Sequence, residues 1–145
     1  MRVAIGSDHA GFKAKEIIKG YLKRKKIEFK DFGTTSEESV DYPDFGYAVA
    51  RAVAQGEFDR GILICGSGVG MTIVANKVNG IRAVLAHDSY TAKQSRQHGD
   101  CNVLCLAGKK LTKAKLNKIV DVWLKTEFSG EERHLRRIRK IESQS

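Results

Sequence analysis

Several absences narrow the possibilities before any motif is considered. No apolar run approaches the length that a membrane span needs, so a protein without membrane contact is expected. The three cysteines are an odd number with no paired framework, which excludes a disulfide scaffold and agrees with a reducing compartment. Met1-Arg2-Val3-Ala4-Ile5-Gly6 enters a strand pattern without the basic stretch, apolar core and small-residue site of a secretory signal, so a cytoplasmic location is expected. There is one proline and no linker, repeat or low-complexity tract, and the 145 residues are expected to form a single domain, 1–145. Acidic residues are the minority, 17 against 26 Lys and Arg, giving a formal net charge of +9. That balance points to an anionic partner, which can be a nucleic acid or a small molecule. No aromatic stacking platform accompanies the basic stretches, which argues against nucleic acid. The cluster Lys23-Arg24-Lys25-Lys26 ends a helical pattern, where cations suit the helix dipole and a solvated surface accounts for them.

Hydrophobic residues make up 41% and charged ones 30%, a globular balance. Buried strands are expected over residues 3–7 and 61–64, and further strands over 27–32, 81–86 and 101–106, the one over 27–32 more exposed and near a sheet edge. Between them, Ala14, Ile17, Ile18, Tyr21 and Leu22 recur at helical spacing, as do Phe45, Ala48, Val49, Ala52 and Val53. Asp41 can cap the second of these helices, with Pro43 in its first turn. A short helix is expected over 71–77, and another capped by Ser89 and running to about Gln97. A further stripe runs through Leu116, Ile119, Val120, Trp123 and Leu124. The segment 132–141 is a short basic helix with Leu135, Ile138 and Ile141 at one-turn spacing. Strands alternating with helices predict an α/β fold: a Rossmann-like, three-layer α/β/α arrangement of five parallel strands with helices on both faces, plus a short C-terminal helix.

The chain is organised around Gly61-Ile62-Leu63-Ile64-Cys65-Gly66-Ser67-Gly68-Val69-Gly70. An apolar strand empties into alternating glycines and then a helix, so backbone N–H groups gather at a helix N-terminus and favour an anion there. Cys65 stands at the carboxyl end of the strand, where open parallel sheets place their chemistry and where a helix dipole favours a thiolate. It is the candidate base or nucleophile; the alternative is a small buried residue, as free cysteines often are. Asp8 and His9, Tyr42, residues 65–70, His87 with Asp88, and His98 are expected on loops at one sheet edge. No His, Cys or Asp pair has a compact metal-ligand spacing, so neither a metal nor an organic cofactor is expected. Cys101 and Cys105 are expected on one strand, facing the core. The glycine run is not the dinucleotide fingerprint and follows the third strand rather than the first.

Taken together, Ser7-Asp8-His9-Ala10-Gly11-Phe12, Asp41-Tyr42-Pro43, residues 65–70, Ala75-Asn76-Lys77, Gly80-Ile81-Arg82-Ala83, Ser95-Arg96-Gln97-His98, Val120-Asp121-Val122-Trp123-Leu124 and Arg133-His134 resemble the type B ribose-5-phosphate isomerases and the related galactose-6-phosphate and allose-phosphate isomerases. The resemblance implies a cofactor-free aldose–ketose isomerase acting on ribose 5-phosphate and ribulose 5-phosphate. In that reading Cys65 is the base, Ser67 relays a proton between the sugar oxygens, and His98 is the acid that opens the ring. The backbone of Gly66, Ser67, Gly68, Val69 and Gly70 would hold the enediolate, and Asp8 and Tyr42 would bind the sugar. His9, Lys109, Arg133 and Arg137 match phosphate-side positions. The family pattern has asparagine where this chain has Gly99, arginine where it has Lys109, and two glycines where it has Glu131-Glu132. The family also implies a homodimer or dimer of dimers with shared active sites. Two other readings stay open: a hexose-phosphate isomerase, and a non-enzymatic anion- or RNA-binding module.

Overall fold

In the computed structural model, which describes residues 1–144, the alternating pattern folds as a single parallel sheet. The strands are β1 (Arg2–Ser7), β2 (Glu28–Asp31), β3 (Arg60–Cys65), β4 (Ala83–Leu85) and β5 (Val103–Ala107), in the spatial order β2-β1-β3-β5-β4. The helices are α1 (Phe12–Arg24), α2 (Tyr42–Ala54), α3 (Val69–Asn76), α4 (Ser89–Gly99), α5 (Lys113–Lys125) and α6 (Glu132–Glu142). β2 is an edge strand, as its mixed exposure predicts.

The three central strands are covered on both sides, which is why they are apolar throughout. Alternate residues feed two cores. Val3, Ile5, Ile62, Ile64, Leu104 and Leu106 pack with α1, α4 and α5 on one face, around the fully buried Trp123. Ala4, Leu63, Cys65, Val103 and Cys105 pack with α2 and α3 on the other. The result is the expected three-layer α/β/α arrangement, with α6 added at the end and resting against α4.

The structure corrects several local expectations. α3 begins at Val69, two residues early, because Gly68 adopts φ 79° and starts the helix at once. α4 is capped by Asp88, whose carboxylate accepts the Thr91 N–H at 2.8 Å; Ser89 is its first residue. Asp41 precedes α2 but makes no side-chain cap. β4 shrinks to three residues, as Asn102 and Asn76 take the backbone partners around it. Cys101 lies before β5, half-buried in the loop, so it does not share a strand with the fully buried Cys105.

Candidate active site

Every strand points the same way, so the loops after them meet at one edge. Register pairs Cys65 with Ala107 and Ser7 with Ile64, which puts the ends of β1, β3 and β5 level. A cleft of about 460 Å3 lies there, lined by Asp8, Ala10, Tyr42, Cys65, Gly66, Ser67, Val69, Gly70 and Ile73. Cys65 is 5% exposed, and the Gly68 N–H at the head of α3 donates to its Sγ at 3.2 Å. The sulfur stands at the strand end beside the N-terminus of α3, as expected for a candidate base, and it is also buried, as the alternative reading of Cys65 had it. Gly68 has to be glycine. A Cβ there would lie 2.4 Å from Leu85 Cδ1 and 3.0 Å from the Leu106 carbonyl carbon, at a φ that side chains rarely adopt. Ser67 is exposed at the loop tip, where its Oγ accepts the Val69 N–H at 3.3 Å.

Asp8 is buried at the floor, with one carboxylate oxygen accepting the Gly11 N–H at 3.0 Å. Gly11 crosses β3 so closely that a Cβ would meet the Ile64 carbonyl oxygen at 2.4 Å. His9, Lys109 and Lys13 turn into an adjoining cleft of about 390 Å3 that shares Ala10 with the first. The Val40 N–H donates to His9 Nδ1 at 3.1 Å, so a neutral His9 carries its proton on Nε2 and offers that N–H to a ligand. Lys109 sits over the glycine loop, its N–H bound to the Gly66 carbonyl at 3.2 Å. An ion pair between Lys13 and Glu37 (3.4 Å) rims this cleft. His87 lies in a further cleft of about 450 Å3 that borders Ser67 and Val69 and reaches Lys110 and Lys115. Among the described residues no three His, Cys, Asp or Glu side chains are placed to hold a metal.

His98 does not join them, contrary to the expectation of one loop edge. It lies in the last turn of α4, and that helix runs back along the sheet to deliver the chain to the start of β5. The five residues of β5 separate the two edges by roughly 16 Å at ~3.3 Å per residue. His98, Gly99, Arg133 and Arg137 therefore form a second group at the opposite edge. Arg82 ties that group together, donating from Nε to the Gly99 carbonyl (2.8 Å) and from one terminal nitrogen to Glu142 of α6. The exposed His98 ring stacks on His134, with centroids 4.2 Å apart and planes 27° from parallel. His134 is 4% exposed and its Nδ1 lies 2.8 Å from Ser129 Oγ. Burial, His98 and the two arginines push the His134 pKa below the ordinary histidine value, against a smaller opposite pull from Glu131.

Sequence reasoning assigned no role to Arg82, His134 or Lys15. Lys15 is fully buried and reaches both carboxylate oxygens of Asp31 at 2.8 Å, as well as the Thr34 carbonyl. Asp31 in turn accepts the Gly33 N–H (2.8 Å), and residues 33 and 34 bracket Ser7, the residue before Asp8, through backbone hydrogen bonds of 2.6 and 2.8 Å. The only prior signal for Lys15 was its place within a helix, between apolar positions.

Comparison with known proteins gives consistent results. A family model described as Ribose/Galactose Isomerase matches residues 3–141. Ribose-5-phosphate isomerase B of Escherichia coli is 46% identical over 140 residues, covering 97% of this chain and 93% of that protein. The structure of type B ribose 5-phosphate isomerase from Trypanosoma brucei superposes with a TM-score of 0.96 at 49% identity, covering 99% of this chain and 98% of that one. Ribose-5-phosphate isomerase B from Mycoplasma genitalium with bound ribulose-5-phosphate superposes with a TM-score of 0.94 at 44% identity, over 99% and 95% of the two chains.

Proposed function

The chain belongs to the ribose/galactose isomerase family of sugar-phosphate aldose–ketose isomerases, and on that premise we propose that it interconverts ribose 5-phosphate and ribulose 5-phosphate through a cis-enediolate. The observation that carries this reading is the Gly68 N–H directed at the Cys65 sulfur, inside a cleft with Asp8 and Tyr42. Cys65, as thiolate, takes the proton from C2 of the open aldose and returns it to C1. The charge that develops on oxygen is met by backbone N–H groups of the 66–70 loop, fixed in place before the reaction, while those of Gly68 and Val69 hold Cys65 Sγ and Ser67 Oγ. Ser67, at the loop tip, relays the hydroxyl proton between the two oxygens.

The sugar arrives largely as a closed furanose, which His98 opens. The C1 bond to the ring oxygen breaks, that oxygen takes a proton from His98, and the C1 hydroxyl gives one up to water, leaving the aldehyde. Since His98 sits at the far edge of its own sheet, it serves the Cys65 site of a second copy. Arg133 and Arg137 accompany it, and they grip the phosphate together with His9 and Lys109 of the first chain. Gly99 takes part through its backbone alone. A two-fold pair makes two equivalent sites of this kind, and a homodimer, alone or doubled, is the working form. The partly exposed Tyr42, Val69 and Ile73 beside the cleft supply apolar surface for the contact. Three free thiols suit a reducing cytoplasm.

The test is an isomerase assay on a panel of four-, five- and six-carbon sugar phosphates. The highest kcat/KM is expected on the pentose pair. A higher value on allose or galactose 6-phosphate would reassign the substrate, and no turnover on any of them would remove the proposed chemistry.

A further inference from the structure

The proposed chemistry leaves the buried His134 imidazole unused. We propose that His134 is a positioning residue for His98: its ring is a fixed platform that holds the His98 imidazole in the orientation that ring opening requires. This rests on His98 being the ring-opening acid.

His134 is the buried residue of α6, on a helix otherwise exposed or half-exposed. Its ring is held from the side by Ser129, which is itself fixed twice: the Ser129 N–H donates to the Gln97 carbonyl at 3.1 Å, and Ser129 Oγ accepts the Glu131 N–H at 3.2 Å. The hydroxyl can accept there and also donate to His134 Nδ1 (2.8 Å), an arrangement in which the neutral ring carries its proton on Nε2. Gln97 is the residue before His98, so one serine anchors both the platform and the backbone that carries the acid. The His98 ring lies 4.2 Å over this surface, 27° from parallel, and is otherwise exposed. Without the platform an exposed histidine in a last helical turn would sample several rotamers.

An acid must carry its proton until the ring oxygen takes it, and two imidazolium rings stacked at that distance repel. A neutral aromatic face instead attracts a cation. The charged groups around His134 are His98 from α4, Arg133 and Arg137 from α6, and Glu131 at the start of α6; the first three disfavour a proton on it and only Glu131 favours one. Burial adds to these charges, and together they hold the His134 pKa below the ordinary histidine value.

The experiment compares His98→Ala, His134→Ala, His134→Phe, His134→Gln and the double variant His98→Ala/His134→Ala, each with ribose 5-phosphate and with the open-chain ribulose 5-phosphate. Melting temperature and dimer mass are recorded for every protein. The expected outcome is a loss of about tenfold or more in kcat on ribose 5-phosphate for His134→Ala, smaller on ribulose 5-phosphate, mirroring His98→Ala. The double variant should be no worse than His98→Ala alone, since the platform acts only through that acid. His134→Phe keeps a flat neutral ring and should retain most activity, whereas His134→Gln, which keeps a polar group without the ring, should not; this pair decides the matter even if the alanine variant fails to fold. Multiplying losses in the double variant, equal losses with both sugars, or activity in His134→Gln as high as in His134→Phe would overturn the platform role. Undiminished activity in His98→Ala would instead overturn the acid assignment, and the platform with it.

Discussion

Cys65 combines near-complete burial with a backbone donor aimed at its sulfur, and these conditions set what its removal should do. Cys65→Ala deletes a group that acts mainly in the transition state, so turnover should vanish while substrate affinity stays within about tenfold. Steady-state kinetics and calorimetric binding of ribose 5-phosphate measure the two quantities; near-normal turnover would remove Cys65 from the mechanism. Asp31 supports the site from behind and gives a pH prediction. Burial alone would raise its carboxyl pKa, but the Lys15 and Lys19 ammoniums and the Gly33 N–H outweigh it and leave the pKa below the ordinary carboxylate value. A carboxyl depressed in the folded state stabilises it fully above the unfolded pKa, about 3.9, and loses that contribution as pH falls through and below that value. The melting temperature should therefore respond little to this group between pH 5 and 7 on this scale and drop on acidification. Asp31→Asn should flatten the acid limb and cost on the order of 3 kcal/mol at pH 7, because it strands the buried Lys15 charge. A thermal melt series of both proteins would expose an acid limb unchanged by the substitution.

At the level of elements, the glycine loop and α3 act as one device. Gly68 starts the helix with φ 79°, puts its N–H on Cys65, and fits against Leu85 and Leu106 where no Cβ has room. Gly68→Ala should cost about 2 kcal/mol or more in stability from backbone strain and crowding together, and should lower kcat further as the donor shifts. Chemical denaturation alongside kinetics checks this; wild-type values in both would mean that the loop has room to spare. Much of this device was legible in the sequence, because a buried strand, alternating glycines and a helix obey local rules. The three-layer fold followed from the same regularity, with five strand runs each followed by a helical segment. What failed was local competition for hydrogen bonds: Asp88 outbid Ser89 as a cap by reaching the Thr91 N–H, and Asn102 held Cys101 out of β5 by bonding at Arg82. His98 was misplaced for a different reason. A histidine near the end of a helix belongs to the edge where the next strand starts, and grouping it with the strand-end loops ignored that direction. Lys15 and His134 were invisible because their partners, Asp31 with Thr34 and Ser129 with His98, are set by tertiary contacts that periodicity does not encode.

For the whole molecule, the division of functional groups between two sheet edges has a consequence for assembly. One edge holds Cys65, Asp8, His9, Tyr42 and Lys109; the other holds His98, Arg133 and Arg137, where Arg82 joins Gly99 to Glu142 of α6 and His134 stacks on His98. No rotation of a side chain spans the sheet between them. A complete site under the proposed mechanism needs two copies, each giving its first group to one site and its second to the other. Cys65→Ala and Arg137→Ala should each be inactive alone: the first lacks the base, and the second lacks a phosphate grip that a bidentate guanidinium provides best. Mixed under conditions that exchange subunits, half of the dimers become hybrids at statistical equilibrium. In a hybrid, one site takes Cys65 from the Arg137→Ala chain and Arg137 from the Cys65→Ala chain and is therefore intact, while the other site carries both changes. Half of the sites in half of the dimers are active, so the mixture should recover about a quarter of the wild-type rate. Native mass spectrometry verifies the exchange, and the recovered rate should follow the hybrid fraction as the mixing ratio is varied. A fully exchanged mixture that stays inactive would place both residues in the same chain's site and refute the shared-site arrangement.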